Sequence, residues 1–160
     1  MRLVPLLCLI ACPALANPLD GRSYIIEMSS SQMASGYAEY LLPPLLAVMG
    51  RSGLVPRNGP GADVVVNVVT GSDVGQWVDQ AGEKVWLFTI SVTVGISPEA
   101  YVIPYEGTPA FGVRADLMTP NPDREDELAC LIGLAGRTAL ANYREGGGVL
   151  VTDGSACLRR

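Results

Sequence analysis

Val85-Trp86-Leu87-Phe88-Thr89-Ile90-Ser91-Val92-Thr93-Val94-Gly95-Ile96 alternates more cleanly than any other stretch of the chain. Trp86, Phe88, Ile90, Val92, Val94 and Ile96 fall on one side, and Thr89, Ser91 and Thr93 on the other. Successive side chains of a strand point to opposite faces, so this run predicts a long strand that buries one face and wets the other. Just upstream, residues 62–70 carry Val64, Val66 and Val68 on one face and read as a second strand. The residues between, 71–83, predict that the pair continues as a long twisted hairpin with Gln80-Ala81-Gly82 near its tip.

Further from this centre the same alternation recurs. Phe111, Val113, Ala115 and Leu117 alternate with Gly112, Arg114, Asp116 and Met118, which predicts another antiparallel strand beyond an irregular connection rich in proline. Residues 23–28 read as a short strand, with Tyr24, Ile26 and Met28 opposite Ile25 and Glu27, and residues 54–57 and 149–151 as shorter ones.

Two segments change period. Met33, Tyr37, Tyr40, Leu41, Pro44, Leu45 and Val48 recur every three or four residues after Ser29-Ser30-Ser31, predicting a serine-capped helix over 32–49. Pro43 and Pro44 predict a kink in it or two abutting helices. A second helix is expected from Asn121 as cap and Pro122 as first residue to about Arg144, with Asp123, Glu125, Asp126 and Glu127 suited to the positive end of its dipole. Leu128, Leu131, Ile132, Ala135, Ala139 and Tyr143 form its main apolar face, and Leu134 and Leu140 lie off it, so the helix calls for cover on more than one side. The economical solution is an α+β two-layer sandwich: a mainly antiparallel sheet of four to six strands with two helices on one face.

The amino terminus carries an address. Met1-Arg2, a short apolar run and Ala14-Leu15-Ala16 read as a signal peptide over residues 1–16, cleaved between Ala16 and Asn17, leaving one α+β domain over 17–160. The run is too short to span a bilayer as a helix. Leu9-Ile10-Ala11-Cys12 also resembles the lipobox of bacterial lipoproteins, so lipidation at Cys12 is the alternative processing. Export predicts a periplasmic or secreted bacterial protein, or with Cys12 acylated a lipid-anchored envelope protein. Loss of Arg2 leaves sixteen acids against ten basic residues, a net charge of −6 that disfavours nucleic acid as a partner.

Cys130 and Cys157 are the two cysteines of the mature chain, and in an oxidising compartment they are expected to pair. The clasp would hold the tail across the far face of the second helix. Histidine is absent, which removes Ser-His and Cys-His nucleophile pairs and histidine-ligated metals. No cofactor or metal site is expected: the acids at 123–127 lack the ligand spacing of a calcium loop, the glycines at 50–61 and 146–148 lack that of a phosphate loop, and Ser29-Ser30-Ser31 reads as an ordinary cap. Lys84, the sole lysine, sits near the hairpin tip, where nothing desolvates an amine.

What remains are contact residues. Trp77, Tyr101, Tyr105 and Phe111 lie in or beside loops and hairpin extensions, where aromatic side chains anchor protein partners. The leading expectation is an exported, non-catalytic protein that binds or stabilises another periplasmic or outer-membrane component. One alternative is a carboxylate enzyme in which Glu27, Arg114 and Asp116 converge on the polar face of the sheet. Another is a secreted inhibitor or immunity-type protein using the hairpin at 77–83 as a plug. In element order alone the chain is similar to small envelope accessory domains such as those of lipopolysaccharide-assembly lipoproteins; no motif residue carries the likeness, so it implies no site.

Overall fold

The computed structural model describes residues 17–30, 34–100, 108–121 and 123–158. In chain order the elements are β1 (Ser23–Ser30), α1 (Ala34–Met49), β2 (Val55–Pro56), β3 (Val64–Ser72), β4 (Gln76–Gln80), β5 (Glu83–Pro98), β6 (Phe111–Thr119), α2 (Glu125–Ala141) and β7 (Gly148–Asp153), followed by a single 3-10 turn, Ser155–Cys157. The strands form one sheet in the order β2-β1-β3-β5-β6-β7, with β4 paired to the outer end of β5.

The α+β class is as expected, but the sheet has seven strands among the described residues and is mixed. β3, β5 and β6 run antiparallel to their neighbours in the centre, as does β4 against β5. β1 lies parallel to both β2 and β3, and β7 parallel to β6. The cause is the placing of the helices. α1 follows β1, and α2 separates β6 from β7, so each helix carries the chain back to the end where the preceding strand began; such a crossover makes the next strand parallel.

Alternation in the sequence corresponds to the buried face. Val64, Val66 and Val68 of β3, Ile90, Val92, Val94 and Ile96 of β5, and Phe111, Val113, Ala115 and Leu117 of β6 are buried in one cluster with Leu41, Leu45, Val48 and Met49 of α1 and Leu128, Leu131, Ile132, Ala135 and Ala139 of α2. At Gly136 the two helices pack closely, with Val48 and Leu45 of α1 within van der Waals reach of where a Cβ would stand. α1 runs as one helix through Pro43 and Pro44 rather than as two. The buried residues before and after the prolines hold it in place, which is how packing overrides local propensity.

Other boundaries shift. β1 continues through Ser30, so the first two serines belong to a strand and not to a cap, while Ser31, Gln32 and Met33 lie outside the described residues. α2 begins at Glu125, not after Asn121, and ends at Ala141. Asn121 instead accepts the Asp123 N–H through Oδ1 at 3.0 Å and donates through Nδ2 to Glu127 Oε2 at 3.1 Å. Pro122 lies outside the described residues.

Cys130 and Cys157 are joined, with 5.6 Å between their α-carbons. The tail, however, does not lie across the far face of α2. Gly148–Asp153 adds to the sheet beside β6, and the disulfide ties α2 to the 3-10 turn that follows, fastening the end of the edge strand β7. No described helix is long and apolar enough to cross a membrane.

Candidate functional site

β5 is longer than anything that covers it. β3 accompanies it only from Pro98 to Ile90, and β6 only from Ile96 to Phe88. Beyond Phe88 β4 is the one strand paired with it among the described residues, so residues 76–87 form a two-stranded arm. Such a ribbon is marginal by itself, and three local devices hold it. Ala81 and Gly82 both take positive φ, 51° and 90°, the backbone of a tight turn matched to strand twist. Asp73 Oδ1 accepts the N–H of Gly75 at 2.9 Å and of Thr89 at 2.8 Å, pinning the root of the arm. Those bonds, led by Thr89, hold the Asp73 carboxyl below the ordinary aspartate value.

The third device is aromatic. Trp77 sits directly opposite Trp86, with their rings edge to face at 5.2 Å. Trp86 meets Phe88 in the same way at 6.5 Å, and the Arg124 guanidinium lies over the Phe88 ring at 4.3 Å. Gly75, with φ at 86°, passes beneath the Trp86 indole; any Cβ there would collide with the ring. The result is a ladder of three rings that starts at the mouth of α2 and ends in solvent. Trp77 is 64% exposed and Trp86 37%, and Val74 beside them is 88% exposed.

Of the aromatic residues expected to meet a partner, Trp77 is the one the structure places at the surface. Phe111 is fully buried, stacked edge to face on Tyr143 at 5.7 Å, and is a core residue. Its place at the start of a strand looked peripheral in the sequence, but Ile96 lies opposite it and Tyr143 closes over it. Tyr101 and Tyr105 lie outside the described residues, as do Cys12 and Ala16; Asn17 is the first described residue. Nothing in the sequence marks Trp86 or Arg124 as a contact residue. Trp86 shares the alternation of the core face, and nothing local marks where the helices stop.

The carboxylate grouping does not assemble. Arg114 Nε and Asp116 Oδ1 form an ion pair at 2.6 Å. Glu27 lies on β1, with β3 and β5 between it and β6, so strand spacing alone sets it about 14 Å away. Glu27 borders a separate groove that also contains Arg57 and Glu99. Lys84 is exposed and faces Asp79 across the arm. Among the acids at the start of α2, Glu127 is buried, accepting bonds from Thr119 Oγ1 at 2.9 Å and from Asn121. No group of three or more acidic, cysteine or histidine side chains suited to a metal ion occurs among the described residues.

The face of the sheet away from the helices carries a groove of about 580 Å³ bordered by Thr89, Ser91, Thr93, Arg114, Asp73 and Pro109. Next to it Asn67 is 1% exposed, and neither atom of its amide has a hydrogen-bond partner.

No protein-family model matches the chain, and no curated protein sequence does. Among solved structures the chain is similar to a minor lipoprotein from Acinetobacter baumannii, at 13% identity and a TM-score of 0.41, over 75% of this chain and 87% of that one. An overlap this loose transfers neither a residue nor a role.

Proposed function

We propose that this chain is an exported protein of the bacterial envelope that acts by holding a protein partner, with the β4–β5 arm as its contact surface and without catalysis. The observation that carries this reading is the exposure of Trp77 on a braced ribbon. A tryptophan left 64% open costs hydration that a monomer gains nothing from, and its neighbour Trp86 extends the apolar surface. Tryptophan is also the residue most enriched among interface hot spots, and here its rotamer is already restrained by the ring beside it, so little ordering is left for binding to impose. The signal-like residues 1–16 and the paired Cys130 and Cys157 support export to an oxidising compartment.

The test is photo-crosslinking in the native envelope from a reactive residue placed at Val78, next to Trp77 on the arm. One discrete crosslinked protein is expected, lost when Trp77→Ala and Trp86→Ala are combined and retained when Val151→Ser alters the opposite edge of the sheet. No crosslink, or one indifferent to the tryptophans, refutes the assignment. The projection of the arm favours one sharper version, an inhibitor whose ribbon enters a cleft; in that case the captured partner is an enzyme whose activity falls on addition of this chain. Intact mass distinguishes the two routes of processing, since a start at Asn17 and an acylated Cys12 differ by the residues between and the lipid.

A further inference from the structure

We propose that the face of the sheet opposite the helices binds a neutral saccharide in the groove floored by β3, β5 and β6, a site separate from the aromatic arm. At about 580 Å³ the groove falls within the range of about 300–1,000 Å³ typical of small-ligand sites. Its floor is set by strand register. Gly71 stands beside Ser91 and Ser91 beside Asp116, while Val69 stands beside Thr93 and Thr93 beside Arg114. Thr89, Ser91 and Thr93 therefore run down the middle as three half-buried hydroxyls at alternate positions of one strand. Gly71 leaves this lane open, for a methyl group there would stand 2.8 Å from Ser91 Oγ.

The lining selects a ligand by what it offers. Thr89 already bonds the Asp73 carboxylate through its side chain and Ser91 Oγ donates to Gly71 O at 3.5 Å, so these two offer chiefly lone pairs while the Thr93 hydroxyl can both donate and accept, which suits a partner rich in hydroxyls. Arg114 is the cation of the groove, and Asp116 neutralises it through Nε, while Asp73 adds a carboxylate at one end. A polyanion thus finds no net attraction in a chain that is itself acidic. Val69, Pro109 and Val149 add apolar contact for C–H groups, and no aromatic ring is among the described residues of the lining. A second observation lies at the Pro109 end. Asn67 is one pleat beyond Val69 on the same side of β3, and above Gly95 it shares space with Pro109. Its amide is unpaired but buried beside Pro109, behind the lining of the groove, so it borders the site without facing it.

The test is an NMR titration of the isotope-labelled mature chain with maltotriose, cellotriose and chitotriose as neutral probes and trigalacturonate as the charged one. At least one neutral probe is expected to shift amides centred on 69–73, 89–93 and Arg114, with a millimolar dissociation constant. Ser91→Ala combined with Thr93→Val should weaken that binding about tenfold, the loss of two modest hydrogen bonds, and leave distant signals in place. If the double variant does not fold, Thr93→Val alone serves for the same comparison. The proposal is overturned if no neutral probe shifts these amides, if trigalacturonate binds more tightly, if the shifts centre on Trp77 and Trp86, or if the variant binds as before.

Discussion

Ile90 to Ile96 and Trp86 to Phe88 belong to one strand and put their even-numbered side chains on one face, yet they live in different surroundings. Ile90, Val92, Val94 and Ile96 are sealed between the sheet and the helices. Four residues earlier, Trp86 is open to solvent, and the ring that packs on it, Trp77, is more open still. The difference lies in what stands opposite. α2 begins at Glu125, with Arg124 resting on Phe88, and beyond Phe88 β4 is the only described strand paired with β5, so the Trp86 face lies open although Leu87 on the other face is buried. Periodicity therefore states which side chains share a face, and the reach of the helices decides whether that face is a core or a contact surface.

Substitution should cost most at the closed end of the strand. Phe111→Ala removes the ring opposite Ile96 and should cost about 3–5 kcal/mol in urea unfolding, as expected for emptying a filled site. Trp77→Ala, a larger deletion in a solvent-facing place, should cost less than about 1 kcal/mol, near the worth of one aromatic pair. Equal losses would mean that the arm is part of the core.

Replacing both Cys130 and Cys157 by serine comes next in size. The bond closes 27 residues of chain, for which loop-closure entropy gives about 3.5 kcal/mol as an upper value. The effect should appear in the unfolding midpoint of the body and leave the tryptophan emission of the native arm unchanged, because the clasp joins α2 to the turn after β7 and touches nothing in the ribbon. A shift of the native emission would show that the two regions are coupled.

Acid should produce the smallest effect and confine it to the arm. Asp73 titrates below the ordinary aspartate value of 3.8 in the folded chain, so its contribution is complete above that value and is lost as the pH falls through it toward the folded value. Asp73 holds both Gly75 and Thr89, hence tryptophan emission should shift toward that of hydrated indole at a higher pH than that at which the far-ultraviolet signal of the body falls. Coincident transitions would contradict a locally pinned arm.

Much of this architecture was legible because it is local. A strand's two-residue period follows from backbone geometry, so Val64, Ile90, Val113 and their companions announced a common face. The paired cysteines were legible by count and by the export-like terminus. The candidate site was only half legible. Trp77 stood out as an aromatic residue in a hairpin extension, but Phe111, chosen by the same rule, is buried, and Trp86 carried the signature of a core residue while lying outside the core. Glu127 likewise appeared as one of several acids at a helix start, and only the fold brings Thr119 and Asn121 to its carboxylate.

By itself, then, the amino-acid order determined which residues form strands and helices, which side of each is apolar, and which two cysteines were there to be joined. Tertiary structure decided the strand directions at both edges, because a crossover through a helix returns the chain to its starting end whatever the strand's own pattern. It also decided where burial stops. Cover depends on the lengths of elements far apart in sequence, and the mismatch between a 16-residue β5 and the shorter elements packed on it leaves the aromatic arm in solvent.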